Sequence, residues 1–216
     1  MRVNGYFCLL FLPLLMSIKT LEQYLPEHTF PYLKKWFADH YIHIKITKNR
    51  NSKLGDYRRL PDRSHQITVN STLDKQLFFF VLTHELAHLI AFDKFNYRIS
   101  AHGKEWKETF RDMLLESIDV YQDDLKPIIS SFAKNPKANF MASPELVRYF
   151  HIEDPEDNLV FIENLLINDS FLYKGDEYVI LEKKKKLYLC HHLKSSKKYL
   201  FRPLAKVEKL IINEQR

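Results

Sequence analysis

The sequence predicts an α+β fold, and three observations carry that expectation. Apolar residues recur at helical spacing through most of residues 17–120. Two short runs inside that stretch, Ile42–Ile46 and His65–Asn70, alternate in the manner of strands. Beyond residue 170 the chain changes character, into short β-prone runs separated by Lys- and Ser-rich turns.

The first helical stretch, Ser17 to Tyr41, is interrupted near Pro26 and Pro31. Leu21, Tyr24 and Leu25 make one apolar stripe, and Tyr32, Leu33, Trp36 and Phe37 another. In the strands, Ile42, Ile44 and Ile46 alternate with His43 and Lys45, and Ile67 with Val69 across their own run. The stretch from Asn49 to Arg63 holds Gly55, Pro61 and many charges, so it reads as a loop or long hairpin connection. Asn70, Ser71 and Thr72 then offer N-caps for a long helix reaching about Phe92, with Leu73, Leu77, Phe80, Val81, His84 and His88 on one face. Asp93–Ser100 reads as a loop. A second helix opens near His102 and Gly103, its stripe running Trp106, Phe110, Met113, Leu114 and Ile118. Pro127, Pro136, Pro144 and Pro155 punctuate a connector of short helical pieces. In the tail, Phe171–Tyr173, Tyr178–Leu181, Leu187–Leu189 and Tyr199–Phe201 read as strands of a small β-module.

Composition narrows the class without deciding function. Only 4 Gly and 9 Pro in 216 residues, with 45% hydrophobic content, exclude a low-complexity chain and allow one sizeable core plus a small module. The net charge of +6 favours polyanionic partners only weakly, because many enzymes share it. Two cysteines, Cys8 and Cys190, supply neither a disulfide framework nor a CxxC metal knuckle, so a reducing, cytoplasmic setting is the simpler expectation. Residues 5–15 form an apolar run of signal-peptide length, too short to span a bilayer, so no stable membrane association is expected. With no A-x-A-like site after it and Met16 following directly, the run reads as an extension upstream of a true start at Met16, as a signal or anchor, or as part of the packed core. Secretion or tethering follows only from a signal or anchor.

His84-Glu85-Leu86-Ala87-His88 is an HExxH sequence inside the strongest helical pattern of the chain. A spacing of four advances about 400° around a helix, so the two imidazoles stack one turn apart and can reach one zinc. Glu85, about 100° round from His84, falls beside that metal, where its carboxylate can hold and deprotonate a water. Chance predicts only ~0.03 such pentapeptides in a chain of this composition, so two core histidines packed without a ligand role are the weaker reading.

A catalytic zinc needs a third protein ligand and an open fourth position. Two residues compete. Glu108 opens an ExxxD pattern 20 residues after His88, as thermolysin-like peptidases have, and His102 lies 14 residues after His88. His102 precedes Trp106 by four residues and so shares the buried stripe, whereas Glu108 lies about 200° from Trp106 among Glu105, Asp112 and Glu116. The phase selects His102.

Residues Ile44 to Trp106 resemble the SprT-like family. The resemblance is carried by Lys53-Leu54-Gly55-Asp56-Tyr57, by Ile67-Thr68-Val69-Asn70, by the HELAH at 84–88 and by His102-Gly103-Lys104-Glu105-Trp106, which matches an HGxxF/W third-ligand motif. It implies a minimal zincin-like core with the HExxH helix on a small sheet, one Zn2+ per chain on His84, His88 and His102, Glu85 as catalytic base, and proteolysis of DNA-bound or DNA-crosslinked proteins. The organisation then expected is an apolar extension over 1–15, the metallopeptidase core over 16–120, a helical connector over 121–157 and a β-module over 158–216. Many relatives end in a four-cysteine zinc ribbon; here only Cys190, followed by His191 and His192, stands in the corresponding tail. These cannot make a closed tetrahedral site in one chain, so apolar packing must hold the module instead.

Basic residues gather at Lys183, Lys184, Lys185, Lys186, Lys194, Lys197, Lys198 and Arg202, interleaved with Tyr188, Tyr199 and Phe201. Cations between aromatics suit single-stranded DNA, which offers phosphates and stacking faces together. The plainer reading is a solvated turn beside a module core. Arg50, Lys53, Arg58, Arg59 and Arg63 make a second basic stretch with the same two readings. For the oxyanion of a tetrahedral intermediate, His43, His65 or a tyrosine are all candidates. A non-catalytic DNA-associated module that keeps zinc for structure is the remaining alternative, against which an intact Glu85 argues.

Overall fold

The computed structural model describes residues 21–37, 40–48, 53–96, 98–139, 142–150 and 159–210. The apolar run at 5–15 and the question of Met16 lie outside these residues. The chain divides into two compact units, Met1–Ser143 and Pro144–Arg216, each with its own sheet. The architecture is mixed α+β.

In the first unit a short 3-10 turn, Glu22–Tyr24, precedes helix α1, Phe30–Phe37. Pro31 does not break this helix but sits in its first turn, where the missing N–H costs nothing. Strands β1, Ile42–Thr47, β2, Gly55–Arg59, and β3, His65–Asn70, form a sheet in the order β1-β3-β2. β1 runs parallel to β3 and β2 antiparallel to it. The stretch expected to be a loop or long hairpin connection therefore contains a strand. Asp56, Arg58 and Arg59 hide it in the sequence, since an edge strand can carry its polar residues to solvent.

Helix α2 runs Lys75–Phe95 and is covered on most sides, with Leu77–Thr83, Glu85–Leu89 and Ala91 buried. Its N-cap is Asp74, whose carboxylate accepts from the backbone N–H of Gln76 and Leu77. Asn70, Ser71 and Thr72 do not cap it: Asn70 is buried at the end of β3, its Nδ2 donating to the Lys53 carbonyl. The helix also continues past Phe92 into the expected loop. Helix α3, Lys104–Glu116, turns Trp106, Thr109, Phe110, Met113 and Leu114 inward, and helix α4, Lys126–Ala133, adds Ile129 and Phe132. Edge-on aromatic contacts of Phe80 with Phe110 (5.5 Å) and Phe132 (5.4 Å) join the three helices. β2 and β3 pack on another side of α2. The HExxH turn is thus held between a sheet and a helix pair.

The second unit opens with helix α5, Pro144–Tyr149, tied by Arg148 to both carboxylate oxygens of Glu163 at 2.7 and 3.0 Å. Six strands follow: β4 Leu159–Phe161, β5 Ser170–Tyr173, β6 Asp176–Lys183, β7 Tyr188–His192, β8 Lys198–Phe201 and β9 Lys206–Lys209. Their order is β4-β9-β5-β6-β7-β8. β5 and β6 are joined through Lys174 (φ 55°) and Gly175 (φ 85°), the doubly left-handed geometry of a tight hairpin. Phe171, Tyr178, Ile180, Tyr188, Cys190, Phe201 and Val207 form a buried apolar core. Apolar packing holds this sheet, as the missing ribbon cysteines require. Among the described residues, no helix is long and apolar enough to cross a membrane.

Candidate metal centre

His84 and His88 stand one turn apart on α2, with ring centroids 5.2 Å apart. His102 arrives from the turn just before α3, whose N-cap is Gly103. It is therefore not on a helix, and the helical phase used to select it does not apply literally; the turn does the placing. A Cβ at Gly103 would stand only 3.0 Å from the Ser100 Cβ, so the turn packs closely there. The His102 ring lies 4.6 Å from that of His88 and 5.4 Å from that of His84. The ligand atoms of the three residues all lie within 4.8 Å of one another, the single such cluster of His, Cys, Asp and Glu found among the described residues.

The donor chemistry fits a zinc ion. His102 Nε2 and His84 Nε2 are 3.4 Å apart. Two ligand nitrogens on a tetrahedron with bonds of about 2.1 Å are separated by about 3.4 Å. Burial and the neighbouring imidazoles push His84 down to about 3, and burial with His102 pushes His88 down to about 4. Burial lowers His102 as well. At neutral pH all three rings are uncharged and present lone pairs, the state in which imidazole binds metal. The His88 ring also hydrogen-bonds the backbone of Ala101. That bond orients the ring and anchors the turn that carries His102, the usual part of an outer partner at a metal site.

Trp106 forms the floor. Fully buried, its ring lies 4.7 Å from His84, 5.2 Å from His88 and 4.7 Å from His102. Its indole N–H has no hydrogen-bond partner among the described residues. Glu85 is buried at 7% exposure on the side of α2 that faces β2. The rival ligand Glu108 stands outside the cluster and pairs with Lys104 at 3.9 Å.

Sequence reasoning left the surroundings of His88 open, and β2 supplies them. Tyr57 lies over the His88 ring with centroids 6.2 Å apart and planes 5° from parallel, and its hydroxyl is 3.0 Å from His65 Nδ1. His65 is buried, and burial together with His40 lowers its pKa. His43 is exposed on β1 and meets Tyr41 edge-on. Of the residues considered for the oxyanion, Tyr57 therefore stands beside His88, and His65 lies behind it, held to its hydroxyl.

The basic residues of the tail do not form one patch. Lys183 pairs with Tyr188 across β6 and β7, and Tyr188 with Phe201, which puts Lys183–Lys186 and Arg202 at one end of the sheet. Lys198 pairs with His191, so Lys197, Lys198 and Lys194 gather at the other end, about 10 Å away at about 3.3 Å per residue. All of these cations are exposed, Lys184 pairing with Glu182 at 3.2 Å. Of the three interleaved aromatics, Tyr188 and Phe201 are core residues and only Tyr199, at 42% exposure, is open to stacking.

Residues 26–121 match the model of the SprT-like family. No curated protein and no solved structure matches the chain.

Proposed function

From the match of residues 26–121 to the SprT-like family model, we propose that the chain is a zinc-dependent metallopeptidase with a zincin-like core. The observation that carries this reading is the convergence of three neutral imidazoles beside a buried glutamate one position from the first of them. His84, His88 and His102 hold one Zn2+. When bound, the metal lowers the pKa of a coordinated water and polarises the scissile carbonyl. The Glu85 carboxylate accepts the proton of the attacking water and returns it to the leaving amine. Trp106 and the aromatic wall behind it keep solvent from the far side of the histidines.

The substrates, on this reading, are proteins bound to or crosslinked with DNA, an assignment that rests on the family resemblance and on the exposed lysines of the tail. Glu108 as third ligand finds no support in its position, and a purely structural zinc would have no use for Glu85.

The test is cleavage of casein, or of the chain itself, with and without single-stranded DNA, alongside zinc analysis. Glu85→Gln is expected to keep its zinc and fold while losing at least ~100-fold of the activity, the scale of a lost general base. A Gln variant that cleaves as fast as the native chain removes the mechanism.

A further inference from the structure

The same-face pair Gly55 and Tyr57 on β2 both point at the HExxH turn. They meet α2 at Val81, Glu85, His88 and Phe92, which are spaced as one face of a helix. A Cβ on Gly55 would lie 2.7 Å from Glu85 Oε1, 3.0 Å from Glu85 Cγ and 2.7 Å from Val81 Cγ1. Ordinary contacts begin at 3.4 Å, so no side chain fits there while Glu85 stays where it is. The φ of Gly55 is not in the left-handed region, so the turn geometry does not ask for glycine. The space above the carboxylate does. Two residues on, Tyr57 covers the His88 ring and is itself held through its hydroxyl by His65.

We propose that β2 is a positioning strand for the centre: Gly55, by lacking a side chain, seats the Glu85 carboxylate against the strand backbone, while Tyr57 fixes the plane of the His88 ring. The proposal deepens the peptidase reading and rests on it. The two residues act through different neighbours, and this separates their effects. Filling the space at Gly55 moves the base but leaves all three imidazoles in place. Removing the Tyr57 ring loosens His88, which keeps its hydrogen bond to the Ala101 backbone, and leaves Glu85 seated.

The experiment uses the full chain as native protein, Gly55→Ala, Tyr57→Ala, Glu85→Ala and Gly55→Ala/Glu85→Ala. Zinc affinity is read by chelator competition, kcat and KM on a peptide substrate, and Tm on the zinc-free protein. Gly55→Ala is expected to hold zinc as the native chain does, with KM little changed and kcat reduced about 100-fold, the scale of a misplaced reacting group. Tyr57→Ala is expected to weaken zinc by about 10- to 100-fold, as loss of an orienting partner does. In the zinc-free protein the Tm penalty of Gly55→Ala should shrink when Glu85 is already alanine, because only Val81 is then left to clash. Should Gly55→Ala fail to fold, Gly55→Ala/Val81→Ala adds one methyl and removes two, among them the Val81 Cγ1 it would meet, and so isolates the contact with Glu85. Full kcat in Gly55→Ala, or an equal Tm penalty in both backgrounds, overturns the proposal. A native chain that binds no zinc or cleaves nothing sinks the peptidase reading instead, and the zinc-free cycle still decides whether Gly55 seats Glu85.

Discussion

Among the described residues, two places gather side chains of metal-ligating type, and in only one of them do the ligand atoms converge. In the first unit His84, His88 and His102 come from two turns of α2 and the turn before α3, and their ligand atoms converge. In the second unit Cys190, His191 and His192 are adjacent on β7 and diverge. Cys190 and His192 face the core, whereas His191 is half-buried on the opposite face. The Cys190 thiol lies 3.8 Å from the Tyr188 carbonyl, and burial pushes it up to about 12. His192 is engaged by Ser195 at its Nδ1 and faces Asp176 at 3.6 Å through Nε2. Proximity in sequence is thus a poor guide to convergence: four residues along a helix bring two ligands together, while one residue along a strand separates them.

The sharpest way to break the contrast is at the third ligand. His102→Ala should lower zinc affinity by more than the ~100-fold that the loss of an outer partner can cost, whereas Glu108→Ala should leave it unchanged. Competition with a chelator reads both, and the reverse pattern would make Glu108 the ligand.

Acid is the next test. The unfolded chain binds protons at its histidines near 6.5, while in the fold His84 and His88 resist protonation to about 3 and 4. The unfolded state therefore binds more protons in this window, and stability falls as pH falls. The zinc-free protein should be at full stability above about 6.5 and lose it progressively toward 4. Denaturant titrations at stepped pH check this; a flat profile between 7 and 5 would mean the histidines are not sheltered as described.

A smaller effect concerns the tail. If the exposed lysines engage single-stranded DNA, binding should weaken with salt at a log–log slope of about −0.7 per phosphate. Because the cations sit at two ends of the sheet, replacing Lys184–Lys186 or Lys197–Lys198 by alanine should each remove part of that slope. Anisotropy with a labelled oligonucleotide separates the cases. Absence of binding at about 50 mM salt would strike nucleic acid from the partners.

The smallest expected change sharpens the comparison from its silent side. Cys190→Ser should leave one zinc per chain by elemental analysis and the activity untouched, with a stability loss of about 1–3 kcal/mol for burying a hydroxyl. A count of two zincs falling to one in this variant would show that β7 belongs to a metal site after all.

What could be read in advance follows from the range of the interactions involved. The HExxH helix, its partner α3 and the buried stripe from Trp106 to Leu114 are local periodic patterns, and they stand where the sequence places them. β2 was lost because its evidence is one glycine and one tyrosine among charges, and its partner β3 supplies the rest. β4 and β9 were lost because three- and four-residue strands carry almost no pattern and exist by pairing across more than 40 residues. The cap moved to Asp74 because Asn70 is engaged by Lys53 and Thr47.

By itself the sequence determined the α+β class, the candidate ligand pair at i and i+4 with the glutamate between them, and His102 as its third member, since each depends on residue identity and spacing alone. Tertiary structure alone decided that His102 reaches that pair from a turn rather than from a helix, that Gly55 and Tyr57 line it, and that the tail lysines part into two groups. Each of these depends on a distance between elements that chain spacing does not encode. A turn before α3, an edge strand and a sheet register set those distances, and their energies come from packing and pairing with residues far along the chain.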